Sequence, residues 1–215
     1  MTYGRAYSDT TVPSDLTDEK EEILKWYMDG EIEELPPDME GYLSVDPVKP
    51  YNILAITFTN KAAAELKSRL TAKLGGAGEE VWASTFHSTC VKILRRDIDK
   101  IGYARSFVIF DTADQQTVIK ECLKELNLDS KQYAPKAVAA EISRAKDELI
   151  SADDYAEVFR GDFFKAVVSK IYKLYSQKMK SYNALDFDDL ILCTVRLFEE
   201  NPDVLDYYRN KFRYI

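Results

Sequence analysis

Two short segments of this chain combine hydroxyl, aromatic and basic side chains directly after an apolar run. The first segment consists of Thr57, Phe58, Thr59, Asn60 and Lys61, and the second of Thr85, Phe86 and His87. Hydroxyl groups, backbone amides at a helix start and a lysine can hold an anionic backbone, while an exposed phenyl ring offers a face for a base to stack on. The two segments together predict a track for single-stranded nucleic acid.

Each segment lies between a predicted strand and a predicted helix. Residues 53–56 form a near-continuous apolar run, which is typical of a parallel strand buried on both faces, and a helical pattern follows at 61–74. In open α/β sheets, ligands bind beyond the carboxyl ends of the strands, where loops and helix N-termini meet. We therefore expect the candidate residues to lie at one edge of a sheet, with Phe58 as the stacking residue.

The same residues have a purely structural interpretation. Thr59 and either Ser84 or Thr85 would then be ordinary helix N-caps, and the rings of Phe58 and Phe86 would belong to the core. The residue pattern alone leaves both interpretations open.

The predicted elements divide the chain into an α/β part and a helical part. Strand patterns occur at 53–56, 80–84 and 106–110, and a further strand begins at 212–215. Helical patterns occur at 18–29, 61–74, 85–101, 112–126, 135–148, 151–159, 162–182 and 187–200, and another helix begins at 201–202. Strand signals vanish between 112 and 182, which indicates a helical block inserted into an α/β domain.

Composition narrows the class of protein. The chain has 215 residues, of which 46% are hydrophobic and 12% aromatic, as expected of a globular protein with a sizeable core. No apolar run approaches the ~20 residues that span a bilayer, and residues 1–11 lack the pattern of a signal peptide, so we expect a cytoplasmic protein without membrane contact. Three widely spaced cysteines and a single histidine give neither a CxxC pair nor a multi-histidine metal site.

The net charge of −8 is unevenly distributed. Residues 1–50 hold 13 acidic and 4 basic side chains, a balance of −9, and the remaining 165 residues are close to neutral. A near-neutral remainder permits a local basic track. The acidic stretch at 31–47 is interpreted as a solvated surface insertion, with a partner-binding arm as the alternative.

Four further cations are candidates for contacts with phosphate or duplex DNA. They are Arg95, Arg96, Arg144 and Lys146. Lysines at 165, 170, 173, 178 and 180 could contribute in the same way. Solvated helix faces are the alternative for both sets.

A carboxylate cluster at Asp186, Asp188 and Asp189 invites a metal or general-base interpretation. No histidine or glutamate joins the cluster, and acids in the first turn of a helix interact favourably with the helix dipole. We therefore expect structural capping, with no metal site and no catalytic residue in this chain.

Several motifs of the chain resemble one family. Residues 55–63 (AITFTNKAA) resemble motif Ia, and residues 84–88 (STFHS) resemble motif Ib, of the UvrD/Rep/PcrA group of superfamily 1 DNA helicases. The resemblance continues through 93–97 (ILRRD) and 185–190 (LDFDDL) and closes on 207–215 (YYRNKFRYI). It covers roughly residues 51–215, with the motifs in order.

This resemblance implies a fold and a partner. The fold is α/β, an incomplete RecA-like (P-loop NTPase) parallel sheet with an inserted, mostly helical subdomain. Domain 1A would occupy 51–111 and 185–215, and subdomain 1B would occupy 112–184. The acidic segment would occupy 1–50. The parent protein would be an ATP-dependent helicase that moves 3′ to 5′ on single-stranded DNA and meets single/double-strand junctions. Lys61 would contact phosphate or face the nucleotide side.

The motifs that bind ATP and Mg²⁺ in this family have no counterpart here. A P-loop needs lysine and a hydroxyl after its glycines, whereas residues 74–80 (LGGAGEE) end in two carboxylates. We therefore interpret the chain as a segment between motif I and motif II. ATP and Mg²⁺ would serve the parent protein, and we expect neither bound cofactors nor ATP hydrolysis for the segment itself.

Missing central strands would leave sheet edges exposed. We expect a rearranged sheet, a non-native dimer that covers the edges, or a well-ordered helical subdomain beside a disturbed sheet. Two alternatives to the parent function stay open: the helicase part of a helicase–nuclease, and a non-catalytic module that binds nucleic acid or protein.

Overall fold

The computed structural model describes residues 15–36, 38–39, 42, 48–159 and 161–215. These residues form a mixed α/β structure that divides into two compact units. One unit contains the described part of 1–55 with Arg69–Trp82 and Lys211–Ile215, and the other contains Ile56–Ser68 and Ala83–Asn210. The polar stretch 1–13 and much of the acidic stretch 31–47 lie outside the described residues.

Helices dominate both units. The helices are α1 Asp18–Met28, α2 Asn60–Leu74, α3 Ala77–Glu80, α4 Phe86–Asp97, α5 Thr112–Glu125, α6 Pro135–Asp147, α7 Tyr155–Val158, α8 Phe163–Ser181, α9 Phe187–Glu200 and α10 Pro202–Lys211. Short 3₁₀ turns cover Pro50–Asn52 and Ile98–Ile101. The strands are β1 Leu54–Thr57, β2 Trp82–Thr85, β3 Val108–Ile109 and β4 Ala184–Leu185. No helix among the described residues is long and apolar enough to cross a membrane.

The described strands pair in two small sheets. β1 pairs with β2, and β3 runs parallel to β4 with Val108 opposite Ala184 and Ile109 opposite Leu185. The strand predicted at 212–215 is reduced to one parallel bridge between Ile53 and Tyr214. The single sheet expected from the sequence is thus present as two separate pairs, and its RecA-like connectivity stays a prediction.

The boundaries around β2 differ from those predicted. The strand was predicted from residue 80, but Ala77–Glu80 form a helical turn and the strand begins at Trp82. Gly78 allows this turn to lie against the backbone of α2, where a Cβ atom would come within 2.5 Å of the carbonyl carbon and oxygen of Leu70. The strand therefore begins two residues later than predicted, because Glu80 belongs to the helical turn.

The core of the larger unit lies between α5, α6 and α8. Its largest fully buried side chains include Tyr155, Tyr172 and Tyr175, and the rings of the first two meet edge to face at 5.9 Å between centroids. The prediction that Tyr172 and Tyr175 are core residues is confirmed. The hydroxyl of each of these three tyrosines donates to an acceptor, as burial of a polar group requires.

The smaller unit contains the acidic helix α1. Thr17 caps this helix, whose residue Leu24 packs with Leu35 and Met39 in a small apolar cluster. The described part of the acidic segment 1–50 therefore contains a small hydrophobic cluster.

Candidate nucleic-acid interface

Two threonines begin the helices that follow β1 and β2. The amide of Ala62 donates to Thr59 Oγ1 at 3.2 Å at the start of α2, and the amide of Ser88 donates to Thr85 Oγ1 at 3.3 Å at the start of α4. Thr85 is buried and its hydroxyl also donates to Ser88 Oγ. Both threonines act as N-caps, as the structural interpretation proposed.

The two phenylalanines beside these caps are not core residues. Phe58 is 87% exposed and Phe86 is 43% exposed, and their ring centroids are 5.3 Å apart with the planes tilted by 36°. Burying such a ring would stabilise the fold by about 1.5–3 kcal/mol, a gain that Phe58 does not make. An exposed aromatic pair at a loop is therefore a surface suited to binding, and the core interpretation is wrong for both residues.

A second aromatic pair lies beside the first. His87 follows Phe86 in the chain, and its ring meets that of Phe187 edge to face at 5.7 Å between centroids. Phe187 is the first residue of α9 and is 54% exposed. Sequence reasoning missed Phe187, although an apolar residue among three aspartates at a helix start is a signal that could have found it.

The polar candidates lie at the same edge. Thr57 is the last residue of β1 and is half-buried, whereas Asn60 and Lys61 are exposed at the start of α2. Neither α2 nor α4 carries an acidic residue in its first turn. The partial positive charge of each helix N-terminus is therefore not neutralised locally, which favours an anion such as phosphate.

The arginines predicted to contact phosphate have partners within the chain. The guanidinium carbon of Arg95 lies 3.8 Å from the ring centroid of Phe107, and that of Arg96 lies 3.4 Å from the ring centroid of Tyr207. Arg144 donates to Glu141 Oε1 at 2.7 Å. All three side chains are exposed, so their contacts with DNA stay predictions.

Lys146 is buried, whereas the predicted contact with DNA requires an exposed side chain. The residue is 3% exposed, and its ammonium lies 2.6 Å from Asp186 Oδ2 and 2.7 Å from Asp189 Oδ1. A buried ammonium that two carboxylates already hold cannot reach a phosphate of DNA. The helical pattern placed Lys146 on α6 correctly but could not show that packing covers this position.

The carboxylates around Lys146 cap α9, as predicted. Asp186 Oδ1 accepts from the amide of Asp189 at 2.9 Å, and Asp189 Oδ2 accepts from the amide of Asp186 at 3.1 Å, a reciprocal capping box. Sequence reasoning recognised the caps but not the lysine that joins them. No group of three or more histidine, cysteine or acidic residues suited to a metal ion occurs in the described part of the chain.

Burial and charge act against each other in this cluster. Burial by itself would lower the pKa of Lys146, but the charges of Asp189 and Asp186 outweigh it and hold that pKa well above its ordinary value. Burial would raise the pKa of Asp186, yet the charge and hydrogen bond of Lys146 bring it below its ordinary value. Burial raises the pKa of Asp189 to about 6, because Lys146 offsets burial only in part and Asp186 adds a like charge.

The Gly-rich stretch at 74–80 does not fit ATP phosphates. Gly75 has a positive φ of 59°, and the short helix α3 that follows carries Glu79 and Glu80 in its first turn. Carboxylates at that position repel phosphate, and no lysine follows the glycines. These residues are therefore not assigned to binding ATP or Mg²⁺.

A family model matches most of this chain. The family model described as the UvrD/REP helicase N-terminal domain matches residues 39–215. The chain belongs to this family. The match confirms the resemblance inferred from the motifs, and residues 1–38 of the chain lie outside the match.

Curated relatives of this UvrD/REP domain carry the same helicase name. The chain is 52% identical over 168 residues to the ATP-dependent DNA helicase PcrA of Bacillus subtilis (strain 168). It is 51% identical to PcrA of Staphylococcus epidermidis and 50% identical to PcrA of Staphylococcus aureus over the same length. Each alignment covers 78% of this chain and 23% of the relative, so the chain spans less than a quarter of the length of these relatives.

Proposed function

We propose that this UvrD/REP domain supplies part of the single-stranded DNA track of an ATP-dependent DNA helicase. Family membership and the similarity to ATP-dependent DNA helicases called PcrA support the proposal. The observation that carries it is the 87% exposed ring of Phe58, 5.3 Å from that of Phe86 at the ends of β1 and β2. Aromatic faces at such a position accept successive bases of any sequence.

Within this proposal the residues divide their roles by chemistry. Phe58 stacks on a base, and Phe86 and the pair of His87 with Phe187 extend the aromatic surface. The polar residues hold the sugar–phosphate backbone at the N-termini of α2 and α4, whose first turns contain no acidic residue. They are Thr57, Thr59, Asn60 and Lys61, and Thr85, which is buried, acts by capping α4.

The proposal also covers the fold and the activity of the whole protein. We propose that the strands with α2 and α4 belong to a RecA-like domain and that residues 112–184 form an inserted helical subdomain that faces duplex DNA. The parent helicase would use ATP and Mg²⁺, move 3′ to 5′ and meet single/double-strand junctions. ATP would supply the free energy for movement, and the residues described here bind and orient the strand.

Single-stranded DNA binding tests the proposal. Fluorescence anisotropy of a labelled oligothymidylate is measured over a salt series for the wild type and for Phe58→Ala. We expect binding that weakens with salt and a further loss of about 1–3 kcal/mol in Phe58→Ala, the usual contribution of a stacked aromatic.

Phe163→Ala is the matched control. Phe163 is also strongly exposed, at 78%, but it begins α8, a helix that contains no member of either aromatic pair. We expect Phe163→Ala to bind as the wild type does. Equal losses in the two variants, or no effect of Phe58→Ala on a protein that binds, would refute the proposed track.

A further inference from the structure

One carboxylate oxygen receives hydrogen bonds from three helices. Asp186 Oδ2 accepts from Lys146 Nζ of α6 at 2.6 Å, from the Tyr175 hydroxyl of α8 at 2.7 Å and from Gln115 Nε2 of α5 at 3.3 Å. Lys146 and Tyr175 are buried and Gln115 is half-buried. The three helices of the core thus converge on a single atom.

The other oxygen of the same carboxylate begins α9. Asp186 Oδ1 accepts from the amide of Asp189, while the strand before it is held by the bond from the Phe110 amide to the Leu185 carbonyl at 2.9 Å. The side chain of Asp186 therefore connects the helical core to the first turn of α9. That first turn contains Phe187, the partner of His87.

We infer that Lys146, Tyr175 and Gln115 are positioning residues that hold Phe187 against His87 through Asp186. This inference rests on the proposed function, in which Phe187 belongs to the single-strand track. Three donors from separate helices determine the orientation of one carboxylate, and a cap so oriented determines the direction in which the helix leaves. The exposed ring then needs no packing of its own to stay in place.

Stability alone does not account for this arrangement. Buried ion pairs are often no more stabilising than apolar residues of similar volume, because both charges lose their hydration. The hydrogen bonds of the polar cluster also determine the orientation of Asp186, and with it the direction of α9 at its start. Its effect should therefore appear at the aromatic pair as well as in the unfolding free energy.

The single histidine of the chain provides a direct readout. Its imidazole proton resonances are the only ones of their kind in a ¹H NMR spectrum, and the ring current of Phe187 shifts them. Phe187→Ala gives the position of the His87 resonances without that ring. We expect Tyr175→Phe, which removes one donor and keeps the buried ring, to move them part of the way towards that position.

Tyr172→Phe is the matched control. Tyr172 lies on the same helix, is equally buried and loses a hydroxyl bond to the Ile150 carbonyl at 3.2 Å, but it does not touch Asp186. We expect the His87 resonances of Tyr172→Phe to match those of the wild type. Equal shifts in both tyrosine variants would mean general loosening of the core and would overturn the inference.

DNA binding completes the test through a double-mutant cycle. Phe187→Ala should weaken oligothymidylate binding by about 5- to 150-fold, as loss of a stacked aromatic does. Tyr175→Phe should weaken it less, and the effect should vanish when Phe187 is already alanine. Losses that multiply in the double variant would overturn the inference.

Failure of the inference can be told apart from failure of the proposed function. If no variant at Phe58 or Phe187 affects DNA binding, the track is refuted, while the His87 resonances still decide whether Tyr175 positions Phe187. Gln115→Leu repeats the test at a half-buried position, should Tyr175→Phe fail to fold. Unshifted His87 resonances in both variants would overturn the inference.

Discussion

The ammonium of Lys146 and the carboxylate of Asp186 lie 2.6 Å apart in the core, although 40 residues separate them in the chain. Asp189 Oδ1 lies 2.7 Å from the same ammonium. One buried lysine therefore pairs with two buried carboxylates. The pair joins α6 to the start of α9.

Lys146→Met should destabilise the protein strongly. The substitution keeps the volume of the side chain but leaves Asp186 and Asp189 without their counterion, a change that typically costs about 3–5 kcal/mol. Urea unfolding followed by circular dichroism measures the loss. Lys173→Met, which removes an exposed pair with Asp153 at 2.9 Å, is the control and should have a much smaller effect. Similar losses in the two variants would contradict the prediction.

Asp189 should make stability depend on pH. Burial raises its pKa to about 6 from an ordinary value of 3.8, so the folded state holds a proton in a range where the unfolded chain has lost it. The contribution of this group to stability is therefore lost as the pH rises through about 6. Asp189→Asn cannot ionise, so the variant should gain relative to the wild type between about pH 4 and pH 6, and the difference should level off above that range.

Urea unfolding of the wild type and Asp189→Asn at several pH values in that range measures this difference. The asparagine oxygen can still accept from the amide of Asp186, so the capping box is retained. A difference in unfolding free energy that stays constant with pH would show that Asp189 is ionised throughout.

Gly78→Ala should disturb the contact of α3 with α2. A Cβ atom at this position would lie 2.5 Å from backbone atoms of Leu70, which cannot move aside as a side chain does. We expect a loss of about 1–3 kcal/mol, as for other overpacked sites, measured by thermal unfolding. Gly76→Ala is the control, because nothing lies within 4 Å of a Cβ atom there. A loss in Gly76→Ala as large as in Gly78→Ala would argue against backbone contact as the cause.

Arg96→Gln should separate a structural role from a phosphate contact. The guanidinium of Arg96 lies over the ring of Tyr207 and 3.6 Å from Asp97 Oδ2, so we expect lower stability without a change in the salt dependence of DNA binding. Loss of a phosphate contact would instead reduce the slope of log K against log salt by about 0.7 for single strands. A reduced slope would restore the role predicted from the sequence.

Much of the local structure could be predicted because its causes are local. Thr59 and Thr85 precede helical patterns and cap them, and Asp186 with Asp189 forms a capping box three residues apart. The core positions of Tyr172 and Tyr175 follow from the apolar face of one helix. Helices α5, α6, α8 and α9 were predicted to within a few residues for the same reason.

Predictions failed where distant residues decide the outcome. Residues 77–80 form a helical turn because Gly78 fits against the backbone of Leu70, a contact that no local pattern reveals. The predicted strands β1 and β2 pair with each other, but β3 pairs with β4, which was not predicted, because pairing depends on which segments meet in space. A lysine usually lies at the surface, but the packing of α6 against α9 buries Lys146.

By itself, the sequence determined most of the helices, their caps and the motifs that place the chain in the UvrD/REP helicase family. Each depends on residues that are neighbours along the chain. Only the tertiary structure decided that Phe58 and Phe86 are exposed together, that Phe187 faces His87 and that Lys146 is buried between two aspartates. Exposure and pairing of a side chain depend on segments that folding brings together, and periodicity along one segment carries no information about them.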